Sequence, residues 1–253
     1  MSHGTTPSWL VTDPVDEHLL GTLRSGKEAQ IDLVEWFADD GRSCVLARKR
    51  YLPRTVTEKG TLEALGVQRS SAFRHDVEYR EGRQFRKSRD RRAVESMSTY
   101  GKRLLQDRWL SHEHDVLRTL HEAGCQVPYP VSFAGDVLHM EYVGSEEQAA
   151  PQLARARLSP ADVADAWDQL VEGLHAITAA GWAHGDLSAY NLLWWEGRLW
   201  FIDLPQAVDL AANPGGLEFL HRDVCNVSAW FARHGIDVDP EGLFADLLSA
   251  AFT

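Results

Sequence analysis

Between Asn191 and Asp203 the chain carries two short apolar runs, Leu192–Trp195 and Leu199–Ile202, divided by Glu196-Gly197. Glycine tolerates the positive φ of a tight turn, so this pattern dictates a short β-hairpin. A hairpin of that length brings its two feet together, and each foot here bears a side-chain oxygen, Asn191 on one and Asp203 on the other. Upstream lies His184-Gly185-Asp186-Leu187-Ser188-Ala189-Tyr190-Asn191, which adds a second carboxylate, Asp186, on a loop. The rest of the fold must present that loop beside the hairpin.

The constellation suits phosphoryl transfer. That reaction needs a cradle for phosphates, cations to neutralise charge and a carboxylate to orient the attacking group. Asp186 can accept the nucleophile's proton, while Asn191 and Asp203 can hold one Mg²⁺ or Mn²⁺ through oxygen. Each piece is weak alone, since an aspartate after an apolar run is commonly a strand end. The hairpin joining them makes the set specific.

The remaining pattern predicts an α+β chain. Residues 1–17 read as a frayed, flexible terminus. Alternation from Ala29 to Phe37, the turn Asp39-Asp40-Gly41-Arg42 and a run from Ser43 to Tyr51 predict an antiparallel pair. Residues 53–98 lack periodicity and read as a long flexible insertion. A helix follows from about Thr99 to Ala123, with Leu105, Trp109, Val116 and Leu120 as its stripe. Two strands flank Gly135-Asp136, and Gly144–Leu158 reads as a connector. Ser159 caps a second helix begun by Pro160, and Gly181 ends it. Two further helices are expected, at about 217–232 and 240–251. The domain division expected is one unit at 18–253, with a strand-rich lobe at 18–140, a hinge at 141–145 and a helical lobe at 146–253.

Composition excludes several classes. No apolar stretch approaches the ~20 residues of a membrane-spanning helix, and the start, Met1 to Leu10, lacks a secretory signal's basic-then-apolar build. Cys44, Cys125 and Cys225 lie far apart without a C-x-x-C pair, which points to buried thiols in a reducing cytoplasm rather than a disulfide framework. The net charge of −11 disfavours binding to nucleic acid as a whole. One basic segment, 69–108, stands against that balance as a candidate RNA or ribosome contact, although a solvated face is the plainer reading.

Lys49, in Val45-Leu46-Ala47-Arg48-Lys49, sits where a strand lysine reaches nucleotide phosphates. Its rival reading is a solvated lysine between Arg48 and Arg50. Glu113, beside the stripe of the long helix, is its expected partner, because a buried glutamate is costly without a cation. The strand 138–143 leads into the hinge, where backbone groups near Glu141 and Val143 are placed to meet adenine. Gly21-Thr22-Leu23-Arg24-Ser25-Gly26-Lys27-Glu28 nearly matches a Walker loop, but Glu28 replaces the metal-binding hydroxyl and a strand follows instead of a helix.

Ser25-Gly26-Lys27-Glu28-Ala29, the H-G-D-L-S-A-Y-N loop, Ile202-Asp203-Leu204-Pro205-Gln206 and Leu217–Val224 together resemble the RIO-type atypical serine/threonine protein kinases, in their bacterial form. The resemblance runs from about residue 18 to 235. It implies a trimmed two-lobed protein-kinase-like fold without an activation loop, using ATP and Mg²⁺. It implies Asp186 as catalytic carboxylate, Asn191 and Asp203 as metal ligands, and Lys49 with Glu113 as the ATP-orienting pair. Ser25, Gly26 and Lys27 are then phosphate contacts, and Asp223 braces the catalytic loop. The activity implied is autophosphorylation on serine, or ATP hydrolysis, toward an unknown protein acceptor. An acyl phosphate at the metal-binding aspartate is also implied, which makes Asp203 an acceptor as well as a ligand. The rival readings are a small-molecule phosphotransferase of aminoglycoside-kinase type and an ATPase-switched scaffold binding RNA or a ribosomal partner.

Overall fold

The alternating segments become a five-stranded antiparallel sheet in the computed structural model, which describes residues 6–26, 28–52, 92 and 99–251, the side chains of 99–110 and 250 excepted. Its strands are β1 (Asp16–Ser25), β2 (Ala29–Phe37), β3 (Ser43–Tyr51), β4 (Pro130–Ala134) and β5 (Val137–Glu141), in the order β1-β2-β3-β5-β4. The expected insertion at 53–98, Arg92 excepted, most of the basic segment and Lys27 lie outside the described residues.

The period of two sends neighbouring residues of β3 to opposite faces. Cys44 and Leu46 pack with Val34, Leu10 and Val11 in a small outer core. Lys49 and Tyr51 point to the other face, toward α1 (Thr99–Glu122). Arg48, on the outer face, is held by Glu17 at 2.6 Å and Asp32 at 2.9 Å. The three consecutive basic residues of β3 therefore have separate environments, and Lys49 is buried rather than solvated.

Two expectations for the amino-terminal part are corrected. Residues 1–17 were expected to be flexible, yet Leu10 and Val11 are buried, and the Val11 N–H donates to Cys44 Sγ at 3.4 Å. Gly21 to Ser25, expected as loop, forms the end of β1. Register shifts between Leu19 and Gly21 and between Thr22 and Arg24 interrupt its pairing with β2. Each bulge inserts an unpaired residue, so the period-two signal that reveals a strand is lost there.

The helical part follows the caps. Ser159 and Asp162 form a reciprocal capping box at the start of α2 (Pro160–Ala179), which buries Val163, Ala166, Leu170, Leu174 and Ile177. Next come β6 (Trp182–Ala183), the hairpin β7 (Leu192–Trp195) and β8 (Arg198–Phe201), and β9 (Val208–Asp209), which pairs with β6. Helices α3 (Gly216–Arg233) and α4 (Pro240–Ala251) close the chain's fold. Val116, Leu117 and Leu120 of α1 join Leu138, Phe201, Leu220 and Phe231 in one continuous core. That core fixes the sheet against the helices and so fixes the cleft between them.

Candidate active site

On α1, Glu113 leads a stripe of Val116, Leu117 and Leu120 at helical spacing, so its carboxylate enters the core at 1% exposure. Such a group demands partners. Lys49 Nζ lies 2.8 and 2.7 Å from the two Glu113 oxygens, and the Tyr51 hydroxyl donates to Oε2. The third Lys49 contact is Asp203 Oδ1 at 2.8 Å, which uses the full donor capacity of the ammonium. Burial opposes the charge on Lys49, but the carboxylates of Glu113 and Asp203 hold its pKa above the ordinary value. Burial likewise opposes ionisation of Asp203, and the Lys49 charge overcomes it and draws the carboxyl below its usual range. The Tyr51 phenol is pushed up by burial and by Glu113.

Asp203 sits in the left-handed region at φ +64°, a conformation that costs a non-glycine residue about 1–3 kcal/mol and persists only where surroundings enforce it. The enforcement is visible at the preceding residue, where both backbone groups of Ile202 are held. The Ile202 N–H donates to the Asn191 carbonyl at 3.0 Å, and His184 Nε2 donates to the Ile202 carbonyl at 3.0 Å. Asn191 Nδ2 donates to the Asp186 carbonyl at 2.8 Å. With that nitrogen committed, Oδ1 is the amide atom left to ligate a cation, and an amide oxygen, like the Asp203 carboxylate, is the hard donor that Mg²⁺ prefers.

The loop bearing Asp186 is braced from beneath. Both oxygens of buried Asp223 accept backbone N–H groups, from Gly185 at 2.7 Å and Leu187 at 2.9 Å, and Arg222 donates to the Gly185 carbonyl. Burial raises the Asp223 pKa in spite of these donors. Gly185 has φ +82°, and a Cβ there would lie 2.0 Å from the Gln206 carbonyl oxygen. The β6–β9 pairing ties both arms of this close approach, Ala183 facing Val208.

One cleft is lined by Lys49, Asp186 and Asp203, with Gly26 at its rim. Gly26 N–H donates to the Ala29 carbonyl at 2.9 Å, which folds the β1–β2 turn over the opening, while Ser25 ends β1 opposite Gln30. Glu141 and Val143 are not among the lining residues. The Glu141 N–H donates to the Tyr129 carbonyl at 2.8 Å, and the Val143 carbonyl accepts from Ala150 at 3.0 Å. These two backbone groups are thus spent within the protein and are withdrawn as adenine contacts; the expectation there reduces to the Glu141 carbonyl and the Val143 N–H.

Four polar residues that line the site were not singled out by the sequence reading. Tyr51 could have been found, since it lies two residues beyond Lys49 on the same strand face. Arg24, Glu28 and Gln206 also line the cleft, and Arg24 contributes to the depressed pKa of Asp203. All three stand inside the quoted motifs, whose pattern assigned them no role.

Comparison with known proteins agrees with this geometry. The model of the RIO domain family matches residues 67–243. The RIO-type serine/threonine-protein kinase Rio1 of Thermoplasma acidophilum is 38% identical over 133 residues, covering 53% of this chain and 68% of that protein. Rio1 of Haloferax volcanii is 38% identical over 136 residues, covering 54% of this chain and 46% of that one. The crystal structure of the Rio2 kinase–ADP/Mg²⁺–phosphoaspartate complex from Chaetomium thermophilum superposes with a TM-score of 0.58 at 18% identity. That match covers 93% of this chain and 63% of the other, and it shows the fold to be the trimmed kinase-like α+β fold. Among the described residues, no helix is long and apolar enough to cross a membrane.

Proposed function

The chain belongs to the RIO domain family, and from that premise we propose that it is an ATP- and Mg²⁺-dependent serine/threonine protein kinase that phosphorylates itself and hydrolyses ATP. The observation that carries the proposal is the bridging of Glu113 and Asp203 by buried Lys49 in the cleft that Asp186 lines. Three segments distant in sequence converge there on the groups that phosphoryl transfer requires.

When bound, Mg²⁺–ATP supplies the electrophilic phosphoryl group and neutralises its charge, held through Asn191 and Asp203. The chain's own residues do the rest. All three donors of Lys49 are engaged, so reaching a phosphate oxygen requires it to exchange the Asp203 contact while Glu113 keeps its hold. That exchange would release Asp203 Oδ1, leaving both oxygens of the carboxylate to hold the cation. Asp186 orients the attacking hydroxyl or water and accepts its proton. Gly26, Ser25 and Lys27 would contact the phosphates, and within the hinge at 141–145 the Glu141 carbonyl and the Val143 N–H would meet the base. Asp203 is also proposed as a phosphate acceptor. Relatives named as protein kinases disfavour the small-molecule phosphotransferase reading.

The test is incubation with γ-labelled ATP and Mg²⁺, using wild type, Asp186→Ala and Asp203→Ala. Label on the wild type alone is expected, with the acyl-phosphate fraction released by hydroxylamine. Absence of both label and free phosphate overturns the proposal. RNA contact through 69–108 is a separable extension, and unchanged RNA binding after deletion of the segment removes it.

A further inference from the structure

Cys225 takes no part in the cleft. It lies one helical turn beyond His221 on α3, so both project from the same face. Its Sγ is 3.7 Å from His221 Nε2 and 3.9 Å from Nδ1. Glu241, in the first turn of α4, places Oε1 2.8 Å from the same Nε2. The Phe244 ring meets the imidazole edge-on, with centroids 4.8 Å apart, which fixes the ring between the helices. One ligand atom from each of the three residues falls within 4.8 Å of the others.

These separations can be compared with a metal centre. Zn–N of about 2.0–2.1 Å and Zn–S of about 2.3 Å at tetrahedral angles put nitrogen and sulfur about 3.6 Å apart. The observed 3.7 Å matches that separation, but Sγ also lies 3.9 Å from Nδ1, so the imidazole or the Cys225 side chain must turn for the Nε2 lone pair and Sγ to aim at one ion. Nitrogen and carboxylate oxygen need about 3.4 Å, so Glu241 must withdraw by about half an ångström, which is easy for a side chain that is 74% exposed. Imidazole, thiolate and carboxylate together suit a borderline transition metal, whereas Mg²⁺ prefers oxygen alone.

We propose that His221, Cys225 and Glu241 form a Zn²⁺-class site that pins α4 to α3, with a fourth position open to water. On binding, the Cys225 thiol releases its proton to solvent, and the neutral imidazole of His221 carries its one proton on Nδ1 and leaves Nε2 to the metal. The pin acts on the helix turn that carries Arg222 and Asp223, the two residues that hold the backbone of the catalytic loop. The site is independent of the kinase assignment, and its test reads metal binding rather than turnover.

The full chain is stripped of metal with a chelator and titrated with Co²⁺ in excess Mg²⁺, which keeps the nucleotide-metal position filled. Expected are intense visible bands of tetrahedral Co²⁺ and a near-ultraviolet thiolate charge-transfer band, both bleached by Zn²⁺, together with a rise in Tm on adding Zn²⁺. Cys225→Ser is expected to lose the charge-transfer band and the Tm rise, whereas Cys44→Ser keeps both. Glu241→Gln, a change at an exposed position, serves if Cys225→Ser does not fold, and is expected to shrink the Zn²⁺-induced rise. A Co²⁺ spectrum that is the same in wild type and Cys225→Ser, or a wild-type Tm unmoved by Zn²⁺, overturns the proposal and leaves a hydrogen-bonded surface triad.

Discussion

Replacing Lys49 by methionine keeps the stem's volume and removes only the charge, so its cost reports what the buried ion cluster demands. The two carboxylates it serves are not equivalent. The Asp203 side chain is 39% exposed and can turn to water, so its loss is screened and small. Glu113 is 1% exposed and, among the described residues, keeps only the Tyr51 hydroxyl as partner. The penalty therefore concentrates on Glu113, and stranding a buried charge costs about 3–5 kcal/mol. Removing Glu113 as well, in Lys49→Met/Glu113→Met, abolishes the stranded charge and removes the hydrogen bond from Tyr51, at a cost of about 1–3 kcal/mol. The double variant should then be more stable than Lys49→Met by about 2 kcal/mol, although neither variant turns over ATP. Urea unfolding of wild type, both single variants and the double variant closes the cycle. If the single costs add to within about 0.5 kcal/mol, the two residues do not act as a coupled pair, and the account of the cluster fails.

Gly185→Ala forces a side chain to φ +82° against the Gln206 carbonyl. The left-handed conformation alone costs about 1–2 kcal/mol, so lowered Tm and lost ATP turnover are expected, and wild-type values would mean that the loop is looser than its hydrogen bonds imply. Gly173→Ala sets two effects against each other. Helix propensity gains about 1 kcal/mol, but the new Cβ meets Phe201 Cε2 at 2.3 Å in a buried ring that has nowhere to swing, and overpacking costs about 1–3 kcal/mol. A net loss of about 1 kcal/mol in thermal unfolding is expected, and a gain would refute it. The pH dependence follows from Asp203, whose folded pKa lies below its unfolded value. Its stabilisation is fully present above the unfolded value of about 3.9 and is lost as pH falls through the folded value. Asp203→Asn should therefore weaken the acid limb of stability against pH, as measured by denaturant unfolding, and an unchanged limb counts against the Lys49–Asp203 contact.

The sequence by itself determined the parts whose cause is local. The capping box at Ser159, the Glu196-Gly197 turn and the period of two through β2 and β3 are each dictated by neighbours in the chain, and so is the short hairpin between Asn191 and Asp203. Tertiary structure decided what depends on partners far along the chain. Whether Lys49 was solvated or buried could not be read between Arg48 and Arg50, because it turns on Glu113 and Asp203, 64 and 154 residues away. The bulges hid β1 for the same reason, since a bulge is defined only against the opposing strand. Leu10 and Val11 looked like a frayed end until the outer face of the sheet supplied something to cover. Nor did three scattered cysteines announce that Cys225 meets His221 and Glu241, for that meeting requires α4 to fold back on α3. Local patterns state which groups a segment offers, and only packing states which groups they face.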